Sequence, residues 1–313
     1  MEGISIVLTY YNGSKYIKEQ IESLCKQSIP FDELLIFDDC STDDQFEYLQ
    51  EYLKTRTENI TLRKNNCNLG YAKNFLNGCK YAKYSLIFLC DQDDLWDSNK
   101  LELMRDTMNG NPDINLLACD IEPFYCSENA PKWDTNNLKT MCDDGSVEKL
   151  QVSTSNSHIM RSGSAMCVRK SFFDDAILFW IEGWAHDDFL WKCALFTDSC
   201  ALLHKKLLHR RIHDSNTSEL KERTIEWRIS ELEEMKAQLI ALKEYIKSKK
   251  KLKESYEKVI EHNIDGLKKR IKMLKKKKPL IWLQLATKYK DTYPRIKGLY
   301  LDMYLLIFRI YKA

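Results

Sequence analysis

Short apolar runs alternate with helix-period segments over the first 120 residues, and this alternation constrains the fold more than any other feature of the sequence. Four such runs predict strands, at 4–9, 33–38, 60–63 and 85–90. Helical spacing of apolar residues follows the first and third of them, and Ser14 is the predicted N-cap of the first helix. Alternation of this kind is typical of β-α-β units. We therefore predict an α/β fold in which a mixed, mainly parallel sheet is flanked by helices.

The middle of the chain is less regular. Residues 120–156 lack clear periodicity and predict a long loop. A strand is predicted at 165–169 and a helix at 171–179. The segment "GWAHDDFLWKCALF" then predicts an acidic loop that runs into an apolar helix.

Beyond about position 220 the pattern becomes helical. Two stretches with three-four apolar spacing, separated by a lysine-rich break, predict long helices. We expect one domain at 1–215 and a C-terminal α-helical module at 216–313. The module could form a hairpin against the body, a dimerising coiled coil, or both.

The distribution of charged residues also changes near residue 216. Residues 216–313 hold 25 Lys/Arg and 13 Asp/Glu, although the net charge of the whole chain is only +2. The basic run 247–278 is followed by a stretch rich in Leu, Ile, Trp and Tyr, which suits an anionic membrane surface. We expect peripheral membrane contact through the C-terminus. A homodimer through the helices is the alternative, and we do not expect nucleic-acid binding.

Two acidic clusters follow predicted strands. Asp38 and Asp39 lie in "FDDCSTD", and Asp91, Asp93 and Asp94 lie in "CDQDD". Ligands of open α/β sheets bind outside the carboxyl ends of strands. The D-x-D of Asp91 and Asp93 could hold Mn²⁺ or Mg²⁺ together with substrate phosphates. The alternative for each cluster is a solvated turn or a helix N-terminus.

A third acidic feature is "HDD" at 186–188, which precedes an apolar helix and has Trp180 and Trp184 nearby. A carboxylate among aromatic side chains is a candidate general base, because partial desolvation raises its pKa towards neutrality. The alternative is another helix N-cap.

Several ordered motifs resemble those of the inverting family 2 glycosyltransferases. They are a strand with T-Y-Y-N, a helix ending S-L-C-K-Q and a strand ending "DDCSTD". "NLGYAKNFLNG" and "LIFLCDQDDLWDSNKL" are similar to the rhamnosyltransferase-like branch. The likeness covers roughly residues 1–215 and implies a GT-A fold.

The resemblance implies roles for particular residues. The donor nucleotide would contact one set of side chains, namely Thr9, Tyr11, Asp38, Asp39, Lys73, Asp91 and Arg211. The metal would be held by Asp93, the likelier direct ligand, with Asp91 and His213. The catalytic base would be Asp187 or Asp188. His186 departs from the pattern, since many relatives have Glu there. "HRRIHDSNTS" is similar to a basic loop that closes over the diphosphate, although it could equally be a solvated surface stretch.

These features predict a metal-dependent inverting glycosyltransferase. The donor would be a nucleoside-diphosphate sugar, either dTDP-rhamnose or a UDP-sugar, and the acceptor a glycan or lipid-linked glycan in surface polysaccharide synthesis. The competing hypotheses are a sugar-phosphate nucleotidyltransferase and an inactive scaffold whose helical tail binds partners.

Compartment follows from three further observations. The first strand begins within a few residues of Met1, which leaves no room for a cleavable leader. The eleven cysteines form no C-x-x-C pair, as is typical of reduced thiols. No apolar stretch reaches the roughly 18 residues of a membrane span. We therefore expect a cytoplasmic protein, peripheral at the inner face of the cell membrane.

Overall fold

The computed structural model describes residues 2–42, 46–128, 130, 141–153, 157–158, 161–213, 224–293 and 295–308. In chain order, the strands of this part are β1 (Ile4–Tyr10), β2 (Glu33–Asp38), β3 (Ile60–Lys64), β4 (Leu86–Cys90), β5 (Leu95–Trp96), β6 (Leu116–Tyr125), β7 (Val147–Lys149), β8 (Met166–Arg169) and β9 (Cys200–Ile212). The α-helices are α1 (Ile17–Cys25), α2 (Phe46–Lys54), α3 (Tyr71–Tyr81), α4 (Lys100–Gly110), α5 (Lys170–Ala176), α6 (His186–Leu195), α7 (Ile225–Ser248), α8 (Glu254–Lys275), α9 (Ile281–Lys288) and α10 (Ile296–Phe308).

The strands form one mixed sheet in the order β3-β2-β1-β4-β8-β6-β9-β5, and β7 pairs with β9. The four predicted strands are the parallel part, β1 to β4. In their register Tyr10 lies beside Asp38, and Leu8 lies beside Cys90. The carboxyl ends of β1, β2 and β4 therefore meet at one edge, which brings the two acidic clusters together.

Alternate strand residues enter two apolar layers, as the two-residue period of a strand requires. Ile6 and Leu8 pack with α1 and α4 on one face of the sheet. Val7 packs on the other face, in the layer that contains residues of α3, α5 and α6. This second layer continues without a break into α7 and α8, through Leu232 and Ile260. The helical region is thus packed directly on the sheet domain.

Two local predictions were wrong. The first helix begins at Ile17 with Tyr16 as its N-cap residue, so Ser14 does not cap it. The predicted loop at 120–156 begins inside β6, which runs to Tyr125, and the same stretch also contains β7. The polar sequence concealed a strand because Asp120 is fully buried and its carboxylate accepts hydrogen bonds from Arg161 Nη2 at 2.6 Å and Nε at 3.0 Å.

Strand β9 accounts for a third correction. Arg210 and Arg211, predicted to lie in a basic loop, are the two residues before Ile212, the last residue of this 13-residue strand. Its alternate side chains Leu202 and Leu208 are buried, and β9 pairs with β6 along its length. His213 follows the strand directly, and the rest of the predicted loop lies outside the described residues.

Both predicted long helices are confirmed, as α7 and α8. Thr224 caps α7 by accepting the N–H of Trp227 at 3.0 Å. The apolar stripes face inward, and the buried members include Leu232, Leu242, Ile260 and Leu267. The predicted domain boundary near residue 215 lies outside the described residues.

Helix α10 is fixed to α7 and α8 by a buried polar cluster centred on Asp302. This fully buried carboxylate accepts hydrogen bonds from Arg228 Nε at 2.8 Å, Arg270 Nε at 2.7 Å and the Tyr293 hydroxyl at 3.0 Å. Two guanidinium groups share one carboxylate, so removing Asp302 would take a buried counter-charge from both Arg228 and Arg270, although Arg228 would keep its ion pair with Glu231.

In the part of the chain that the structure describes, the helices are either too short or too polar to cross a bilayer.

Candidate active site

A cleft of about 610 Å³ opens at the carboxyl ends of β1, β2 and β4. Six predicted site residues line it: Thr9, Tyr11, Asp39, Asp91, Asp93 and Asp187. The volume is within the roughly 300–1,000 Å³ typical of small-molecule sites. The position agrees with the rule for ligands in open α/β sheets.

Asp38 and Asp39 each accept hydrogen bonds from the backbone of a different loop. Asp38 is fully buried and accepts the backbone N–H of Ser41 at 2.8 Å, which fixes the turn after β2. Its Oδ2 lies 3.9 Å from the ammonium group of Lys64. Asp39 reaches the cleft, where its carboxylate accepts the N–H groups of Leu69 at 2.8 Å and Gly70 at 2.9 Å. Asp39 therefore holds the loop that begins α3, and Asp38 lies behind the cleft wall.

Gln92, which the sequence analysis did not single out, joins β1 to the acidic loop after β4. Its Oε1 accepts the N–H of Tyr11 at 2.7 Å, and its Nε2 donates to the Tyr11 carbonyl at 3.1 Å. Gly13 leaves room for this contact, since a Cβ there would lie 2.2 Å from the Gln92 amide. The middle residue of the D-Q-D motif thus fixes the distance between the two loops.

Carboxylates crowd the loop after β4. Burial, followed by the charges of Asp91 and Asp93, raises the pKa of Asp94 to about 7. Burial, followed by the charge of Asp93, raises the pKa of Asp91 to about 6. The positive charge of Arg210, which also lines the cleft, opposes both shifts.

Two buried cationic side chains, Lys100 and Arg211, lie next to this loop. Lys100 is fully buried, donates to the Ser164 carbonyl at 2.6 Å and lies 3.9 Å from the ring centroid of Trp96. Arg211 donates from its backbone N to Asp94 at 3.1 Å and from Nε to the Asp93 carbonyl at 2.8 Å. Cations of the chain itself therefore offset part of the acidic charge.

Asp93 and His213 form the part of the site that best suits a metal ion. The Asp93 carboxylate lies 2.9 Å from Nε2 of His213. In the described residues, no three His, Cys, Asp or Glu side chains converge as a protein-only metal centre would require. One carboxylate and one imidazole fit a divalent cation that takes its other ligands from substrate phosphates and water.

The two candidate bases differ sharply in their surroundings. Asp187 lines the cleft, and its charge contributes to the raised pKa of Asp91. Asp188 instead accepts hydrogen bonds from Trp184 Nε1 at 2.7 Å and Lys192 Nζ at 2.6 Å. Asp188 is thus engaged in fixing the start of α6, whereas Asp187 faces the space where a substrate would lie.

His186 forms part of the cleft wall beside Asp187. Its ring stacks on Phe75 with centroids 4.1 Å apart, and neither ring nitrogen has a hydrogen-bond partner among the residues that the structure describes. Burial lowers its pKa, so the imidazole is neutral near pH 7. Gly163 makes room for it, since a Cβ there would lie 2.5 Å from Nε2.

Two further predicted donor contacts, in addition to Asp38, lie away from the cleft. Lys73 pairs with Glu182 at 3.2 Å on the exposed side of α3. The guanidinium of Arg211 pairs with Glu19 at 2.6 Å and stacks on Tyr16. Their donor-binding roles stay predictions that these contacts disfavour. Arg210, which sequence reasoning missed, occupies the cleft, and the alternation of side chains along β9 would have separated the two arginines.

The family model described as glycosyl transferase family 2 matches residues 5–174, more than half of the chain. The chain belongs to glycosyl transferase family 2. The matched region contains β1 from its second residue onward, β2, β4, Gln92 and the acidic loops that follow β2 and β4. The rhamnosyltransferase-like branch stays a prediction.

Two relatives illustrate the similarity. The Escherichia coli protein WfgD, named UDP-Glc:α-D-GlcNAc-diphosphoundecaprenol β-1,3-glucosyltransferase, is 34% identical over 108 residues, which cover 34% of this chain and 42% of WfgD. An uncharacterized glycosyltransferase of Rickettsia typhi is 26% identical over 228 residues, 69% of this chain and 65% of the relative. The chain thus spans less than two thirds of the length of these relatives.

Among solved structures, TarS 1–349 of S. aureus in complex with UDP-GlcNAc superimposes with a TM-score of 0.64. The match covers 95% of this chain and 83% of the TarS 1–349 chain at 16% identity. At that identity the likeness concerns the fold alone, and it confirms the predicted GT-A-type α/β fold with C-terminal helices.

Proposed function

We propose that this chain transfers a sugar from a nucleoside-diphosphate sugar to a hydroxyl group of a glycan or lipid-linked glycan, with inversion at the anomeric carbon. The observation that carries the proposal is the placement of Asp187 and Asp93 at one cleft, with His213 Nε2 lying 2.9 Å from the Asp93 carboxylate. A base that takes the proton of the attacking hydroxyl and a cation that offsets the charge of the leaving diphosphate both promote direct displacement from a nucleoside diphosphate. The donor domain would be residues 1–215.

In this proposal, Asp93 and His213 would hold Mn²⁺ or Mg²⁺. When bound, the cation offsets the negative charge that develops on the leaving diphosphate. Arg210, which also lines the cleft, adds positive charge on the same side. Asp187 accepts the proton of the acceptor hydroxyl as it attacks.

A UDP-sugar is the donor that we favour over dTDP-rhamnose. WfgD is named for transfer from UDP-Glc, and TarS was crystallised with UDP-GlcNAc. The acceptor class rests on the same relative, whose name describes a diphosphoundecaprenol-linked GlcNAc. Synthesis of a surface polysaccharide would require both substrates at the cytoplasmic face of the membrane.

Peripheral membrane contact is supported by exposed apolar side chains near the C-terminus. Leu280 is 79% exposed, and Tyr300, Tyr304 and Phe308 on α10 are 55–60% exposed. The lysines at 275–278 precede them in the chain. Cationic and apolar groups in this arrangement suit an anionic bilayer surface. Dimerisation through the same helices stays the alternative.

The test of the proposed function is a thermal-shift panel of UDP-, GDP- and dTDP-sugars, each with Mn²⁺ and with EDTA. A ligand that binds only the native state raises the melting temperature. We expect one nucleotide class to stabilise the protein, and the effect to depend on Mn²⁺. The absence of stabilisation by every nucleotide sugar would contradict the proposal.

A further inference from the structure

A second cavity of about 600 Å³ lies between the start of α6 and helix α7. Tyr71 and Asp187 line both this groove and the cleft at the sheet edge. The two spaces therefore meet at the proposed base. The start of α6 forms one wall of the groove and α7 forms the other. A substrate in the groove would therefore approach the Asp187 carboxylate from the side of α7 and not from the side of the sheet.

The groove has rigid walls. On the side of the sheet domain, Asp188 joins Trp184 to Lys192 through hydrogen bonds of 2.7 and 2.6 Å. On the other side, Arg228 anchors the start of α7 to the buried Asp302 at 2.8 Å. Neither wall depends on a substrate for its contacts.

Gly183 lies where the two walls approach each other. Its φ is +82°, a left-handed conformation that favours glycine. A Cβ at this position would lie 3.5 Å from the Glu234 carboxylate on α7.

The lining combines aromatic rings with carboxylates. Tyr71 is 65% exposed, and Trp227 lies half-buried in the first turn of α7. Among the described lining residues, four carboxylates face one ammonium group, that of Lys192. Lys192 is paired with Asp188, and Glu231 is paired with Arg228. Asp187 and Glu234 therefore give the groove its negative charge.

This composition selects against phosphate and in favour of a neutral sugar. Like charges at short range are destabilising, so a phosphate group would be repelled by Asp187 and Glu234. The carboxylates can instead accept hydrogen bonds from hydroxyl groups. The rings of Tyr71 and Trp227 offer apolar faces against which the C–H groups of a pyranose can pack.

We propose that the groove between α6 and α7 is the acceptor subsite and that it takes a neutral sugar residue, with any phosphate of the acceptor outside it. This proposal rests on the proposed glycosyl transfer. It assigns α7, which follows the family-matched region, a direct role in acceptor recognition. A fragment that ends before α7 would lack half of the acceptor subsite.

The experiment is saturation-transfer NMR on the full chain, with methyl glycosides of glucose, N-acetylglucosamine, galactose and rhamnose as neutral probes and glucose 1-phosphate as the anionic probe. We expect at least one neutral probe to bind and glucose 1-phosphate to bind more weakly than methyl glucoside. Trp227→Ala should reduce the signal of the bound glycoside by about fivefold, because the stacking face is lost. Trp227→Phe should retain most of it and covers the case in which Trp227→Ala fails to fold.

A charge-reversal pair tests the electrostatic part. Glu234→Lys should weaken the glycoside signal and increase that of glucose 1-phosphate. Glu244→Lys is the matched control, because Glu244 is also an exposed glutamate of α7 but lies outside the groove. Any of three results would overturn the proposal. No neutral probe binds, or glucose 1-phosphate binds as well as methyl glucoside, or the glycoside signal is unchanged in all three variants, Trp227→Phe, Trp227→Ala and Glu234→Lys. Nucleotide-sugar binding in the thermal-shift panel is independent of these probes, so failure of the groove and failure of the proposed function give different results.

Discussion

The adjacent carboxylates of Asp187 and Asp188 allow a matched pair of nearly isosteric substitutions. Asp187→Asn removes the charge that faces the cleft and keeps an oxygen that can accept the Asp188 N–H, now bonded at 2.8 Å. Asp188→Asn keeps an acceptor for Trp184 but loses the ion pair with Lys192. The structure therefore predicts opposite consequences for two neighbouring positions.

The magnitudes follow from these contacts. An amide cannot act as a general base, so Asp187→Asn should lower kcat by about 10²- to 10⁴-fold, or roughly 3–5 kcal/mol of activation free energy. Its free energy of unfolding should change by less than about 1 kcal/mol, the usual effect of one charge at a helix N-terminus. Asp188→Asn should cost about 1–2 kcal/mol of unfolding free energy, because a partly buried charged hydrogen bond becomes neutral. Its kcat should stay within about tenfold of wild type.

The assay measures nucleoside diphosphate release with the donor that the thermal-shift panel identifies, together with urea unfolding of both variants. Donor affinity should be unchanged in Asp187→Asn, since the base acts on the acceptor. The reasoning is refuted if Asp187→Asn keeps more than a tenth of wild-type kcat, or if Asp188→Asn loses as much activity as Asp187→Asn while its fold is intact.

Three further predictions concern the support of the site and the C-terminus. Asp302→Asn should lower the free energy of unfolding by about 3–5 kcal/mol in urea titrations, because two arginines lose a buried counter-charge. The control Asp291→Asn, which removes an exposed ion pair, should lower it by less than about 1 kcal/mol. Equal losses in the two variants would contradict the role of the buried cluster. Gln92→Ala should raise the KM for the donor and cost about 1–3 kcal/mol of stability, since two hydrogen bonds to Tyr11 are lost; unchanged values of both would contradict the clamp. Replacing Tyr304 and Phe308 with Ser should abolish most flotation with anionic vesicles in low salt, and equal flotation by the double variant would show that α10 does not mediate membrane contact.

Much of the fold was predictable because its signals are local. The strands β1 to β4 are short apolar runs with turn residues between them, and the stripe on α7 and α8 repeats at helical spacing. Strand β6 escaped prediction because its polar Asp120 is satisfied by the distant Arg161. A sequence pattern cannot show that partner, 41 residues away.

The candidate site was likewise predictable where its signals are local and not where they depend on long-range contacts. The acidic clusters were located by their position after strands, but the choice between Asp187 and Asp188 depended on Lys192 and Trp184, whose contacts only the folded chain shows. The groove depended on packing of α7 against α6, which no local signal of either helix encodes. Roles that depend on long-range contacts therefore need the structure.

The most direct test of metal-assisted donor binding is isothermal titration calorimetry of UDP with the wild-type chain and with Asp93→Asn, each with Mn²⁺ and with EDTA. One carboxylate and one imidazole from the protein leave positions for diphosphate oxygens, so Mn²⁺ and UDP should bind cooperatively. The account predicts that Mn²⁺ tightens the Kd of UDP by about tenfold or more in the wild-type chain and has little effect in Asp93→Asn. An identical Kd with Mn²⁺ and with EDTA in the wild type, or full Mn²⁺ enhancement in Asp93→Asn, would contradict it.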